Sequence, residues 1–260
     1  MNRTKFYAAL RRKGSGVFGT SLSQSQVQGM EGILDAFVTH GDGREKTLAY
    51  ALATAYHETG AKMVPVREGF ASTDAGARRV VAKRKYGVPT GKYGHVYYGR
   101  GHVQLTWIDN YKASSNDAMY DLVAYPDKML DPVISARVLI KGLLDGRWNG
   151  KGKGIAVYLP TNGPDDLKNA RRTVNITDKW ELIGGYYKAF LAAIREAGGV
   201  PVAAPKKIET TIFDPSEFLN PETPPKTTAV AAGGIAAALA AAGMFFSNLP
   251  CQWFGIMCGP

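Results

Sequence analysis

Two glutamates ten residues apart, Glu58 and Glu68, are the side chains of this 260-residue sequence best placed for acid–base chemistry. Glu58 ends a helical pattern. Leu48, Ala51, Leu52 and Ala55 repeat at i, i+3, i+4 and i+7, and Gly60 supplies a left-handed stop. The negative end of a helix and partial burial both disfavour an ionised carboxylate, so this position favours the protonated form. Glu68 lies beyond Pro65 in an extended or looped segment beside Arg67, where water and a neighbouring cation favour the charged form. One carboxyl as acid and one as base is the pairing that hydrolyses a glycosidic bond. The plainer alternative is two ordinary surface glutamates.

The surrounding pattern is mainly helical. Ser23 with Gln26 fits a capping box, and Val27, Met30, Leu34 and Phe37 carry that helix to Gly41. A basic helix is predicted over residues 75–85. Asp131 before Pro132 starts another, with Val133, Ala136, Ile140 and Leu144 on one side. Gly163-Pro164 opens a helix carrying Leu167, Ala170 and Val174, and Asp178 caps a long one in which Trp180, Ile183, Tyr187, Phe190 and Ile194 share a face. Between them, residues 93–107 combine glycines at 94, 99 and 101 with Tyr97, Tyr98 and Trp107. Such a stretch lets backbone approach a ligand and offers flat faces with polar edges, as a sugar-binding surface does. A short aromatic hairpin packed on the core is the alternative.

The formal charge is +10. Residues from Pro201 onward hold three basic and four acidic groups, so the first 200 residues carry +11. An anionic partner follows: nucleic acid, a phospholipid or lipopolysaccharide surface, or a cell-wall polymer. The densest run, Arg78, Arg79, Lys83, Arg84 and Lys85, reads either as a phosphate-contacting face or as a solvated helix face. No zinc-finger spacing or RNP-type signature accompanies it, so nucleic acid is not the expected partner. His57-Glu58 begins a zinc-protease signature, but Ala61 stands where the second histidine would be. Gln104 takes the place of the third glycine of a dinucleotide fingerprint. No metal and no cofactor are expected.

Three segments are expected: a main domain over residues 1–199, a proline-rich linker over 200–228, and a hydrophobic stretch over 229–260. No apolar secretory signal opens the chain. Residues 229–246 are uncharged and mostly alanine, which suits either a membrane helix or a helix that docks on protein. If it spans, the lysines before it favour a cytoplasmic main domain, and Cys251 and Cys258 could pair on the far side.

His57-Glu58-Thr59, Pro65-Val66-Arg67-Glu68, the run from Tyr97 to Trp107, and Asn110-Tyr111 together resemble the signature of family 19 glycoside hydrolases, in the short form of bacteriophage endolysins. Arg171-Arg172-Thr173-Val174-Asn175 resembles that family's substrate-cleft segment. The likeness covers about residues 4–197. It implies a mainly α fold: a lysozyme-like, bilobed helical domain with a small β-hairpin, here followed by an Ala-rich hydrophobic helix. It makes Glu58 the general acid and Glu68 the general base of an inverting reaction, with Thr106 holding the water. His57, Thr59, Arg67, Tyr98, Gln104, Asn110, Arg172 and Asn175 match residues that contact sugar or support the acid and base. Ile176 departs from the glycine common after that asparagine, and the segment between the glutamates is shorter than in plant chitinases, implying an open cleft. The expected activity is that of an endolysin: cleavage of the β-1,4 glycan bond of bacterial peptidoglycan for host lysis. The protein would be monomeric, reach the wall from the host cytoplasm through the periplasm, and associate with membrane through residues 229–246. The alternatives are a chitinase and a catalytically silent, wall-binding virion component.

Overall fold

The helix that ends in Glu58 runs through the middle of the molecule. In the computed structural model, which describes residues 1–149 and 152–202, the α-helices are α1 (Arg3–Leu10), α2 (Gln24–His40), α3 (Glu45–Glu58), α4 (Asp74–Val81), α5 (Ile108–Ala118), α6 (Pro132–Asp145), α7 (Ile155–Tyr158), α8 (Leu167–Ala170) and α9 (Trp180–Glu196). The expected linker beyond residue 202, the 229–246 stretch and both cysteines lie outside the described residues. Among those described, no helix is long and apolar enough to cross a membrane.

Every residue of α3 from Thr47 to Ala55 is buried. The apolar stripe read from the sequence is thus one side of a helix enclosed all round, the mark of a central core helix. Alanines at 49, 51, 53 and 55 let neighbours approach closely, and α3 packs against α9, α2 and α6. The main core forms there, with Leu48, Leu52, Phe37, Leu139, Phe190 and Ile194 fully or almost fully buried.

A second, smaller core of Ala77, Val81, Val96 and Tyr98 lies between α4 and the glycine-rich segment. The two cores give the mainly α, bilobed arrangement that was expected. The β structure differs in detail from a lone hairpin. A two-residue strand, β1 (Val66–Arg67), pairs antiparallel with β2 (Arg100–Gly101), Val66 opposite Gly101 and Arg67 opposite Arg100, while Arg100 also bridges Leu105 in a tight turn.

Several helix signals act as read. Ser23 and Gln26 make the reciprocal capping box, and Asp131 accepts from the amides of Val133 and Ile134 ahead of Pro132. Others shift. The basic helix runs over Asp74–Val81 and not 75–85, because the chain turns back with Arg84 N–H bonded to Val81 O. The helix after Gly163-Pro164 breaks into α8, capped by Asp166, and a 3-10 turn over Arg171–Thr173. Asp178 does not cap α9. Lys179, with φ of 58°, holds that position, and Asp178 belongs to the arginine described next.

Candidate active site

Glu58 leaves the core at the last residue of α3. Thr59 fixes the exit: its hydroxyl donates to Ala55 O at 2.7 Å and accepts from Met63 N–H at 2.9 Å. Gly60 follows at φ +56°, a conformation that favours glycine, and a Cβ there would stand 2.7 Å from the Phe70 ring. Thr59 itself is fully buried and does not line the cleft, so it supports Glu58 through the backbone.

The Glu58 side chain is only 15% exposed and pairs with Arg171, Nη2 to Oε1 at 2.9 Å. Burial pushes its carboxyl above the usual carboxylate range, with Arg171 pulling the other way. The direction agrees with the sequence argument, and its principal cause is desolvation by the core around α3. Arg171 is 1% exposed, and its Nε donates to Asp178 O at 3.3 Å. The sequence reading chose Arg172 from this pair. Arg172 is exposed and donates from Nε to Asn169 at 2.9 Å, away from Glu58.

Glu68 is built differently. Its amide donates to Gly99 O at 2.7 Å, continuing the β1–β2 ladder, and its carboxylate turns back to accept from Gly99 N–H at 2.8 Å and from the Tyr86 hydroxyl at 2.7 Å. A Cβ on Gly99 would lie 2.8 Å from Gln104 Oε1 and 3.2 Å from Glu68 Oε2, so a side chain there would push both aside. Burial and the bond to Glu68 raise the Tyr86 phenol to about 12, which keeps it a donor. Arg67 is not the neighbouring cation that was expected: it turns to Asp127, Nη2 to Oδ2 at 2.7 Å.

Both glutamates line one cleft of about 400 Å³, together with His57, Arg67, Gln104, Thr106, Trp107, Asn110, Trp148 and Asn175. Thr106 donates to Gln104 O at 2.8 Å, which leaves its oxygen lone pairs for a water. Gln104 bonds Val66 O and Gly101 O, and Asn110 bonds Thr106 O, so these amides hold the cleft wall. His57 is shifted below its ordinary range by burial and by Arg171 and is therefore mostly neutral at pH 7. Asn175 accepts from the amide of Ile176, which keeps a negative φ and is 70% exposed, so the missing glycine costs no backbone strain.

Tyr98 is the clearest correction. Both Tyr97 and Tyr98 are buried, their hydroxyls donating to Val123 O and Asp74 respectively. Tyr98 lies under the Arg100 guanidinium, 3.5 Å from ring centroid to Cζ, and Arg100 is held by Asp127 at 2.7 Å. Of the three aromatic residues read as a sugar platform, only Trp107, 48% exposed, faces the cleft. Tyr86, Trp148 and Arg171 were missed; each reaches the site through a contact distant in sequence.

Residues 27–145, which contain both glutamates and the glycine-rich loop, match the model of glycoside hydrolase family 19, described as chitinase class I. The match stops short of the 171–175 segment. No curated protein sequence matches the chain. Similar solved structures include chitinase C from Streptomyces griseus (19% identity, 78% of this chain and 95% of that one, TM-score 0.43) and a mutant of chitinase C (19%, 78% and 95%, 0.44). A bacterial family 19 chitinase is also similar (21%, 78% and 97%, 0.39). Over residues 27–145, less than half of its length, this chain resembles the glycoside hydrolases of family 19, and it is a chitinase-like glycoside hydrolase.

Proposed function

We propose that this enzyme cuts the β-1,4 glycan bond of bacterial peptidoglycan by an inverting mechanism, as a phage endolysin that opens the host wall. The observation that carries the reading is the pair of unlike carboxyls on one cleft: Glu58 desolvated and raised, Glu68 gripped by two donors. Glu58 protonates the departing glycosidic oxygen. Glu68 takes a proton from a water positioned with the help of the Thr106 hydroxyl, and that water attacks the anomeric carbon from the opposite face. Space for the water requires carboxyls roughly 6.5–9.5 Å apart. The chain's charge of +10 suits an anionic envelope and makes activity fall with added salt.

The description of the matched family favours a second reading, hydrolysis of chitin, which shares the linkage but lacks the lactyl ether and peptide. A zymogram with cell walls in the gel, run beside turnover of chitin oligomers, separates the two. Clearing of walls is the expected result, and cleavage of chitin oligomers without clearing would transfer the enzyme to the second reading. We place delivery from the host cytoplasm, a monomeric state and membrane association through residues 229–246 within the same proposal.

A further inference from the structure

The cleft does not end at the two glutamates. A groove of about 280 Å³ continues from it, sharing Trp107, Asn110, Trp148 and Asn175 and adding Tyr158 and Arg172. Among the described residues no Asp or Glu lines this extension. Its cation is oriented: Arg172 Nε donates to Asn169 Oδ1 at 2.9 Å, and Asn169 donates in turn to Asp166 at 2.7 Å. Among the described residues no carboxylate forms an ion pair with Arg172, whose hydrogen bond to Asn169 uses Nε, so the N–H groups of its two terminal nitrogens form an open fork. Such a fork matches a carboxylate in two parallel hydrogen bonds. The aromatic rings alongside supply faces for a sugar.

A neutral amino-sugar polymer has nothing for that fork. The glycan of peptidoglycan carries, on every second sugar, a lactyl ether whose carboxyl is free or extended by a peptide with carboxylates of its own. We infer that the groove around Arg172 is a subsite for a carboxylate on the 3-O substituent of the glycan, and that Arg172 determines the preference for anionic over neutral β-1,4 glycan. The inference rests on the peptidoglycan reading above and deepens it.

The test compares the full-length enzyme with Arg172→Gln and Arg172→Glu on three substrates: intact sacculi, sacculi stripped of peptide so that the lactyl carboxylate is free, and chitin oligomers. The expected result is a ratio of kcat/KM, anionic glycan over oligomer, that falls at least about tenfold in Arg172→Gln, mainly through KM, and further in Arg172→Glu. A larger loss on stripped glycan assigns the lactyl carboxylate; a larger loss on intact sacculi assigns the peptide. A ratio unchanged in both variants, with wild type active on sacculi, overturns the inference and leaves the peptidoglycan reading intact. Wild type inactive on both wall substrates defeats the peptidoglycan reading, and the subsite with it.

Discussion

The two walls of the cleft position the same functional group by opposite means. On the helical side, Glu58 protrudes from a helix whose whole circumference is buried, and desolvation decides its protonation while one arginine restrains it. On the small-lobe side, Glu68 sits on two residues of strand and a turn, next to a core of four buried side chains, and explicit hydrogen bonds do the positioning. A large core supplies a low dielectric without naming any partner, whereas a small lobe cannot, and must name its donors one by one. The general acid and general base proposed for Glu58 and Glu68 call for those two environments.

The comparison is tested most severely by Glu58→Gln. Removing the proton donor should lower kcat by about 10²–10⁴-fold with binding of glycan retained, measured by turnover and by sacculus pull-down. The same variant reports on desolvation through stability. A carboxyl raised in the folded state stabilises the fold below its unfolded value, and that contribution is lost as pH rises through the folded value. The difference in Tm between Glu58→Gln and wild type should therefore move in favour of the variant as pH rises above 4.5, the ordinary value for a glutamate. A difference that stays flat with pH would show that Arg171, not burial, governs this wall.

Next in size is the joint between the walls. His102, on the glycine-rich loop, is 1% exposed and bonds Met63 O at 3.0 Å, while its amide donates to Ser135 of α6 at 2.8 Å. Burial pulls its imidazole down from 6.5 to about 4. For a histidine depressed in the folded state the unfolded chain binds the proton first, so stability present above pH 6.5 is lost as pH falls towards 4, by roughly 3 kcal/mol. Urea melts at pH 7 and pH 4 should show that loss, and His102→Gln should show a shallower one. Equal slopes would place the acid sensitivity elsewhere.

A smaller effect belongs to the base wall alone. Tyr86→Phe removes one of two donors to the Glu68 carboxylate and should lower kcat by about tenfold, the worth of a hydrogen bond to a charged group, with KM little changed. Steady-state kinetics on wall glycan would check it. An unaltered kcat would mean that Gly99 N–H suffices and that the small lobe depends less on its named donors than the comparison claims.

What the sequence disclosed follows the same division. Helix starts at Ser23 and Asp131 were legible because a cap is a local device, made by residues three or fewer apart. Glu58's bias was legible because helix end and apolar period are also local. The setting of Glu68 was not: Tyr86 is 18 residues away and Gly99 is 31, and no period announces them. Arg171 and Arg172 are neighbours of one type, and which turns inward is set by a 3-10 turn that helical spacing does not foresee. Tyr97 and Tyr98 were read as platforms because aromatic rings among glycines suit a sugar-binding surface. Both are inside because the segment is barely a strand, and the buried Arg100 needs a ring and two carboxylates, Asp74 and Asp127, around it.

The finest test returns to the acid wall, where the hydroxyl of Tyr50 is buried with no hydrogen-bond partner among the described residues, two helical turns before Glu58 on α3. Burial raises its phenol well above the ordinary range, with the Arg171 and Glu58 charges acting on it in opposite directions. If desolvation governs this wall, a lone hydroxyl contributes nothing to holding Glu58, and leaving it unpaired costs stability. Tyr50→Phe keeps the ring and its packing on Tyr187, 6.1 Å away between centroids, and deletes only the oxygen. Thermal melts should show the variant as stable as wild type or up to about 1 kcal/mol more stable, with the basic limb of the activity profile unmoved. A loss of about 1 kcal/mol or more, or a shifted limb, would reveal a bonded hydroxyl acting on Arg171 and Glu58, so that both walls would rest on named donors and the contrast between them would fail.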